Sequence, residues 1–186
     1  MNKIEMIKTG AMLLASPSMA DPNFRKGVVL LCEHSEEGSF GLILNRPLEV
    51  EGSPLEDELE GYANGLSFGG PVQPNTLHFI HQLFDDLPDA EPIAKGIYWG
   101  GDFERLKEIA SDGDVANAKL RFFLGYTGWG AGQLEFEVTQ NDWIVVESDE
   151  AFVFQQDPRK LWTSIMKKLG GDFELFANYP LDPRMN

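Results

Sequence analysis

Residues 28–44 read Val28-Val29-Leu30-Leu31-Cys32-Glu33-His34, then Ser35-Glu36-Glu37-Gly38-Ser39, then Phe40-Gly41-Leu42-Ile43-Leu44. Two β-rich runs joined by a polar, glycine-containing loop of hairpin length predict a pair of antiparallel strands. Outward from this hairpin, residues 11–15 predict a first strand that enters a proline-containing loop. Residues 66–70 and 77–82 predict further strands, separated by the turn signals Gly69-Gly70-Pro71 and Pro74-Asn75. Residues 119–126 and 143–147 are dense in β-branched and aromatic side chains and predict two more.

Helices are fewer. Asp102 suits an N-cap for a helix to about residue 111, with Phe103, Leu106, Ile109 and Ala110 as one apolar stripe and Gly113 to end it. A second helix is marked by Asp157 as cap, Pro158 in the first turn, and Leu161, Trp162, Ile165, Met166 and Leu169 as its apolar face. Lys167 and Lys168 occupy its last turn and Gly170 follows. Residues 85–91, near Pro88 and Pro92, predict a loop. Residues 49–60 carry six acids and predict a surface segment in which Pro54 opens a short helix. Residues 130–140 are ambiguous: Leu134, Phe136 and Val138 alternate with polar residues as in a strand, while the preceding glycines and early acids suit a helix start. Gly-Gly-Asp-Phe-Glu occurs at 100–104 and 170–174, but the flanks differ. It reads as one punctuation used twice, and its order departs from the Gly-Gly-Asp-Glu-Phe signature of diguanylate cyclases.

Composition narrows the function classes. The chain has 186 residues and 15 Lys+Arg against 30 Asp+Glu, for a formal net charge of -15, which opposes unaided binding to a phosphate backbone. The cations form no run longer than two, at Arg25-Lys26, Arg159-Lys160 and Lys167-Lys168. The single cysteine, Cys32, excludes an internal disulfide. At the N-terminus, Lys3 and Lys8 precede a short apolar run and Ser18-Met19-Ala20, in the order of a secretory signal. The run is too short and Glu5 is misplaced, so a mature first strand and a cytoplasmic chain without a membrane span are expected.

Several motifs taken together resemble one family. They are Leu14-Ala15-Ser16-Pro17 with Asp21-Pro22-Asn23-Phe24, Leu31-Cys32-Glu33-His34, residues 41–47 (Gly-Leu-Ile-Leu-Asn-Arg-Pro), Gly69-Gly70-Pro71-Val72, residues 125–135 from Gly125-Tyr126 to Glu135, and Asp182-Pro183. Their order and spacing resemble the YqgE/AlgH family along essentially the whole chain. The resemblance implies a bacterial protein of one domain, residues 1–186, with an α+β fold around a bulged, largely antiparallel, mixed sheet flanked by a few helices. It implies no established catalytic activity or cofactor, although members are often labelled transcriptional regulators, and it favours a helix over residues 130–140. Gln73-Pro74-Asn75-Thr76 departs from the pattern, which leads one to expect an arginine near position 76.

Candidate site residues follow from these motifs. Cys32 and His34 are two apart on a strand, so they are expected on one face, the minimum for a thiolate–imidazole pair. Cys32 equally continues an apolar stripe with Val28 and Leu30 as a small hydrophobe. His34, His78 and His81 form no metal-binding spacing, because the last two lie on opposite strand faces, and no metal is expected. The Gly-rich stretch 125–132 lies where backbone N–H groups cradle phosphates. It matches neither the P-loop nor the dinucleotide fingerprint, and it suits a tight turn that packs Trp129 over the sheet edge. Asn45-Arg46-Pro47 presents a guanidinium at a strand end, either to fork a carboxylate or phosphate or to pin an acidic loop. The favoured expectation is a non-catalytic binding or regulatory protein acting through an unknown protein partner, without direct nucleic-acid contact. Its surface would comprise Asn45, Arg46, Pro47, Gly69, Gly70, Pro71, Gly128, Trp129 and Gly130, and exposed apolar surface would indicate a homo-oligomer. The alternative is a small-ligand protein or enzyme with a pocket of Cys32, His34, Arg46 and the Gly-rich stretch 125–132.

Overall fold

The computed structural model describes residues 3–48, 66–111, 120–155 and 157–178. The expected acidic surface segment at 49–60 and the helix end at Gly113 lie outside the described residues. Ten strands are β1 (Ala11–Ala15), β2 (Val28–Ser35), β3 (Gly38–Ile43), β4 (Pro47–Leu48), β5 (Leu66–Phe68), β6 (Val72–His81), β7 (Glu91–Ala94), β8 (Ile97–Trp99), β9 (Leu120–Gly130) and β10 (Trp143–Glu147). They join in the order β10-β1-β2-β3-β9-β6-β8-β7, with β5 alongside β9 and β4 alongside β5. Every pairing is antiparallel except that of β5 with β9. With five α-helices among the described residues, α1 (Phe103–Ser111), α2 (Gln133–Thr139), α3 (Glu150–Val153), α4 (Leu161–Leu169) and α5 (Asp172–Ala177), the fold is α+β. None of the described helices is long and apolar enough to cross a membrane.

Burial explains the run of apolar residues in β1, all five of which are buried. Met12 and Leu14 face one cluster with Leu30, Leu42 and Phe123, while Leu13 and Ala15 face another with Val29, Ile43 and Trp143. A strand covered on both sides needs no polar alternation. The sheet curls, so that Ile93 and Ile97 from its far end join the first cluster. Trp162, Ile165 and Met166 of α4 fill the concave side, and the Trp162 indole donates 2.8 Å to the Ala15 carbonyl. Leu134 and Val138 of α2 cover the second cluster, and Leu106 of α1 covers a third, formed with Leu66, Phe79 and Phe122.

Three local expectations are corrected, and the ambiguity at 130–140 is resolved. Residues 120–130 form one continuous strand, so the Gly-rich stretch is largely β9, neither the expected tight turn nor a phosphate-cradling loop. Residues 133–139 are helical, as the family resemblance implied and the local alternation did not; Leu134 and Val138, four apart, are buried while Phe136 is 63% exposed. Asp157 precedes a 3-10 turn at Pro158–Lys160 without a side-chain cap, and Leu169 lies 40% exposed instead of on the buried face. The two Gly-Gly-Asp-Phe-Glu copies also diverge. Asp102 Oδ1 accepts the Glu104 and Arg105 amides and caps α1, whereas Asp172 lies inside α5 behind Gly171.

Candidate functional site

An open cleft of about 610 Å³ lies where the β2–β3 hairpin meets β6, β8 and β9. Three half-buried rings line it: Phe40 stands 4.9 Å from Trp99 and 4.8 Å from Tyr126 between centroids. Glu33 and Glu37 supply carboxylates along the same lining. Gly128 sits directly opposite Phe40 in the β3–β9 register, and its missing side chain leaves space beside the rings. His78 packs 5.3 Å from Phe40 and its Nε2 is buried without a partner. Burial lowers its pKa, so the imidazole is neutral at pH 7 and adds no positive charge to the cleft.

The β6 side of this cleft is shaped by a long bulge. Val72 pairs with Tyr126 and Leu77 with Leu124, which forces residues 73–76 outward. Gly125 opposite has φ of +67°, and a Cβ there would lie 2.9 Å from the Val72 carbonyl oxygen, so only glycine fits. Gly69 and Gly70 pack their backbones against Gly125 and Tyr126, where a Cβ would overlap main-chain atoms. Both therefore serve close chain approach at this crossing.

A second cleft, of about 390 Å³, is lined by Arg25, Lys26, Asn45, Arg46, Arg159 and Thr163, with Trp162 at its side. Asn45 is buried and holds the 21–27 loop from both ends of its amide. Its Oδ1 accepts the Val28 N–H at 2.9 Å and its Nδ2 donates 2.8 Å to the Lys26 carbonyl. Arg46 donates to the carbonyls of Arg25 and Asn45 at 2.5 and 3.2 Å. Its described partners are thus main-chain oxygens and not a carboxylate.

The nine residues expected to form one surface therefore divide. Gly128 and Trp129 line the first cleft, Asn45 and Arg46 the second, and the linings share no residue. Pro47 pairs with Ser67 in β4, and Pro71 is exposed at the start of the β6 bulge. The Trp129 side chain is buried, stacks on Phe24, and donates to Glu137 Oε2 at 2.8 Å. The Gly130 amide donates to Gln133 Oε1.

The expectation that Cys32 and His34 share a face is overturned by a bulge in β2. Leu31 pairs with Gly41 but Glu33 with Phe40, so Cys32 is the extra residue. Cys32 and Glu33 then lie on the concave side, Cys32 in the apolar cluster and Glu33 beside Phe40. His34 faces the other way, bonded to Ser39 Oγ at 2.8 Å and 3.8 Å from Glu135 of α2. Burial pushes the Cys32 thiol well above its ordinary pKa of 9.0, and Arg46 belongs to the second cleft. The Cys/His/Arg pocket is not formed. Among the described residues no three His, Cys, Asp or Glu side chains converge to hold a metal.

His81 faces the opposite side from His78 and is completely buried. Its Nδ1 accepts the Leu83 amide at 3.0 Å, which leaves the proton on Nε2 to bond the Gly100 carbonyl at 2.9 Å. Burial lowers its pKa below 6.5 against the opposing pull of that carbonyl. A depressed histidine pKa gives stability that is complete above pH 6.5 and lost as pH falls through the folded value. His78 acts in the same direction. Urea unfolding is expected to show a loss of up to ~1.4 kcal/mol per pH unit per histidine below that point. A pH-independent midpoint between pH 7 and 5 would contradict this assignment of the neutral tautomer.

Sequence reasoning passed over Glu33, Phe40, Trp99 and Arg121 as site or core determinants. Glu33 stood inside the Leu31–His34 motif without being singled out, Phe40 and Trp99 carry no motif, and the three meet only through the β2 bulge and the curl of the sheet. Arg121 did carry a signal: it stands in a run, Leu120 to Phe123, whose neighbours fill two different clusters, so it had no open face to occupy.

The sequence and fold resemble those of known proteins. A family profile described as DUF179, AlgH-like, matches residues 12–174. A UPF0301 protein of Chlorobaculum parvum is 39% identical over 185 residues, covering 100% of this chain and 99% of its own. One from Cytophaga hutchinsonii is 39% identical over 183 residues, covering 97% and 100%. The solution structure of the AlgH protein from Pseudomonas aeruginosa superposes with a TM-score of 0.69 at 30% identity, covering 94% of this chain and 95% of that one. The crystal structure of DIP2367 from Corynebacterium diphtheriae gives 0.76 at 21% identity with 93% of each chain covered, a likeness of fold. With the profile spanning most of the chain and the relatives matching it end to end, the protein belongs to the AlgH-like, UPF0301 family.

Proposed function

We propose that this is a non-catalytic binding or regulatory protein of the cytoplasm that acts through a protein partner, and that the partner seats a lysine or arginine side chain in the aromatic cleft. The observation that carries the reading is the union of Phe40, Trp99 and Tyr126 with Glu33 and Glu37 around one open space. Ring faces attract a cation and the carboxylates complete its neutralisation. The neutral His78 does not oppose it. A net charge of -15 favours the encounter with a basic segment and disfavours direct contact with DNA. A transcriptional role, if the family label applies, would then run through that partner.

The test is calorimetric titration with a short oligolysine peptide, with oligoglutamate as control. Trp99→Ala is expected to weaken oligolysine binding by about 1–2 kcal/mol, roughly 5–30-fold. Gly128→Leu fills the cleft from a position where a Cβ meets nothing closer than 3.4 Å, and should weaken binding while the fold persists. Equal binding by wild type and both variants would mean that the peptide reads only overall negative charge, and would remove the cleft from the proposal.

A further inference from the structure

We infer that the second cleft is a binding site for a small phosphorylated anion carrying at least two negative charges. The acidic chain has 15 Lys+Arg, and four of them, Arg25, Lys26, Arg46 and Arg159, line this one cleft of about 390 Å³. No acidic residue stands among its described lining. The cations come from three separate parts of the fold: the 21–27 loop, the turn after β3, and the 3-10 turn before α4. Chance proximity along the sequence does not account for their meeting.

The support beneath them is built. Asn45, only 5% exposed, spends both ends of its amide on the loop that displays Arg25 and Lys26. Lys26 itself is held at φ of +52°, a left-handed conformation that a lysine adopts only when its surroundings impose it. Its ammonium lies over the Trp162 ring, 5.2 Å from the centroid, on the cleft side. Arg46 uses two of its donors on main-chain carbonyls, which fixes the plane of the guanidinium and leaves its remaining N–H groups for a ligand. Its charge is partly desolvated, and burial lowers its pKa accordingly. Thr163 and the fork of Arg159 add donors opposite.

The class of anion follows from number and space. One fork satisfies a carboxylate, whereas the arginines of three separate segments converging on one cleft suit a phosphoryl group or a pair of them. Salt screens the molecule's other charges beyond about 8 Å at physiological strength, so the local cluster outweighs the overall negative charge at contact. A duplex is disfavoured by the net charge of -15 that surrounds this local cluster.

The experiment is calorimetric titration of the full chain with pyrophosphate and with inorganic phosphate at matched ionic strength, followed by adenosine diphosphate. Saturable binding at one site is expected, tighter for pyrophosphate than for phosphate. Arg25→Ala and Arg159→Ala alter exposed side chains, so folding should persist, and each should weaken binding about tenfold or more. Adenosine diphosphate binding that falls in the same variants identifies a phosphate ester as the source, while binding of pyrophosphate alone identifies a free inorganic anion. Absence of saturable binding at millimolar concentrations, or equal affinity in the Arg25→Ala/Arg159→Ala double variant, overturns the inference.

Discussion

Replacing Arg121 by alanine is expected to cost about 4 kcal/mol of folding stability, among the largest effects of any single side chain here. Arg121 is 5% exposed on β9 and turns into the concave core beside Phe123, over whose ring its guanidinium lies at 5.2 Å. It donates to the Val153 carbonyl of α3 at 2.7 Å, to the Leu44 carbonyl after β3 at 2.5 Å, and to Ser67 Oγ of β5 at 3.5 Å. One planar fork thus ties three segments that are remote in sequence. Truncation leaves a cavity and strips buried acceptors of their donors, and the two penalties add. Burial pulls the guanidinium pKa down to about 10 from 12.5. The sign is that of a charge the folded state tolerates at a cost, so this group stabilises more as pH climbs above about 10 and is silent at neutral pH. Arg121→Lys keeps the charge but not the fork, and should recover little. Arg121→Met keeps volume and removes the charge, and should cost less than alanine. Urea unfolding at pH 7 measures all three; a loss below about 1 kcal/mol for alanine would show that the core closes around the missing fork.

The parts of this molecule that were legible in its sequence are those decided by neighbours within a few residues. β1, the β2–β3 hairpin and β10 lie where apolar and β-branched runs and turn residues placed them, and Asp102 caps α1 as its spacing implied. What stayed hidden was decided across the sheet. The parallel contact of β5 with β9 has no local signature, and the bulge that separates Cys32 from His34 exists because β3 slips by one residue against β2. Asn45 and Arg46 were recognised as a polar strand end, but the cations that join them arrive from residues 25–26 and 159, beyond the reach of any local pattern. Gly69, Gly70 and Gly125 looked like loop residues and are instead points where backbones touch.

Helix α2 shows the same competition in its sharpest form, and Glu137→Ala is expected to cost about 3 kcal/mol by undoing its resolution. The alternation of Leu134, Phe136 and Val138 argues for a strand, yet the segment coils because a helix lets Leu134 and Val138 reach the core while Glu137 turns toward two indoles. Glu137 Oε2 accepts Trp129 Nε1 and Trp143 Nε1, both at 2.8 Å, and Oε1 accepts Gln133 Nε2 at 2.9 Å. Trp129 belongs to β9 and Trp143 to β10, and their rings meet edge-on at 5.8 Å, so one carboxylate joins the helix to two strands that are not neighbours in the sheet. Both indoles are buried, so removing the carboxylate takes a charged acceptor from two part-buried N–H groups at once. Phe24 stacks on Trp129 and meets Trp143 edge-on, and should loosen with them. Glu137→Gln retains an oxygen acceptor without the charge and is expected to cost about 1 kcal/mol, so the ordering Glu, Gln, Ala separates hydrogen bonding from helix propensity. Tryptophan fluorescence followed through urea unfolding reports both the midpoint and the environment of the two rings. Equal stability of the alanine and glutamine variants would show that the indoles find other acceptors, and that the helix is held by Leu134 and Val138 alone.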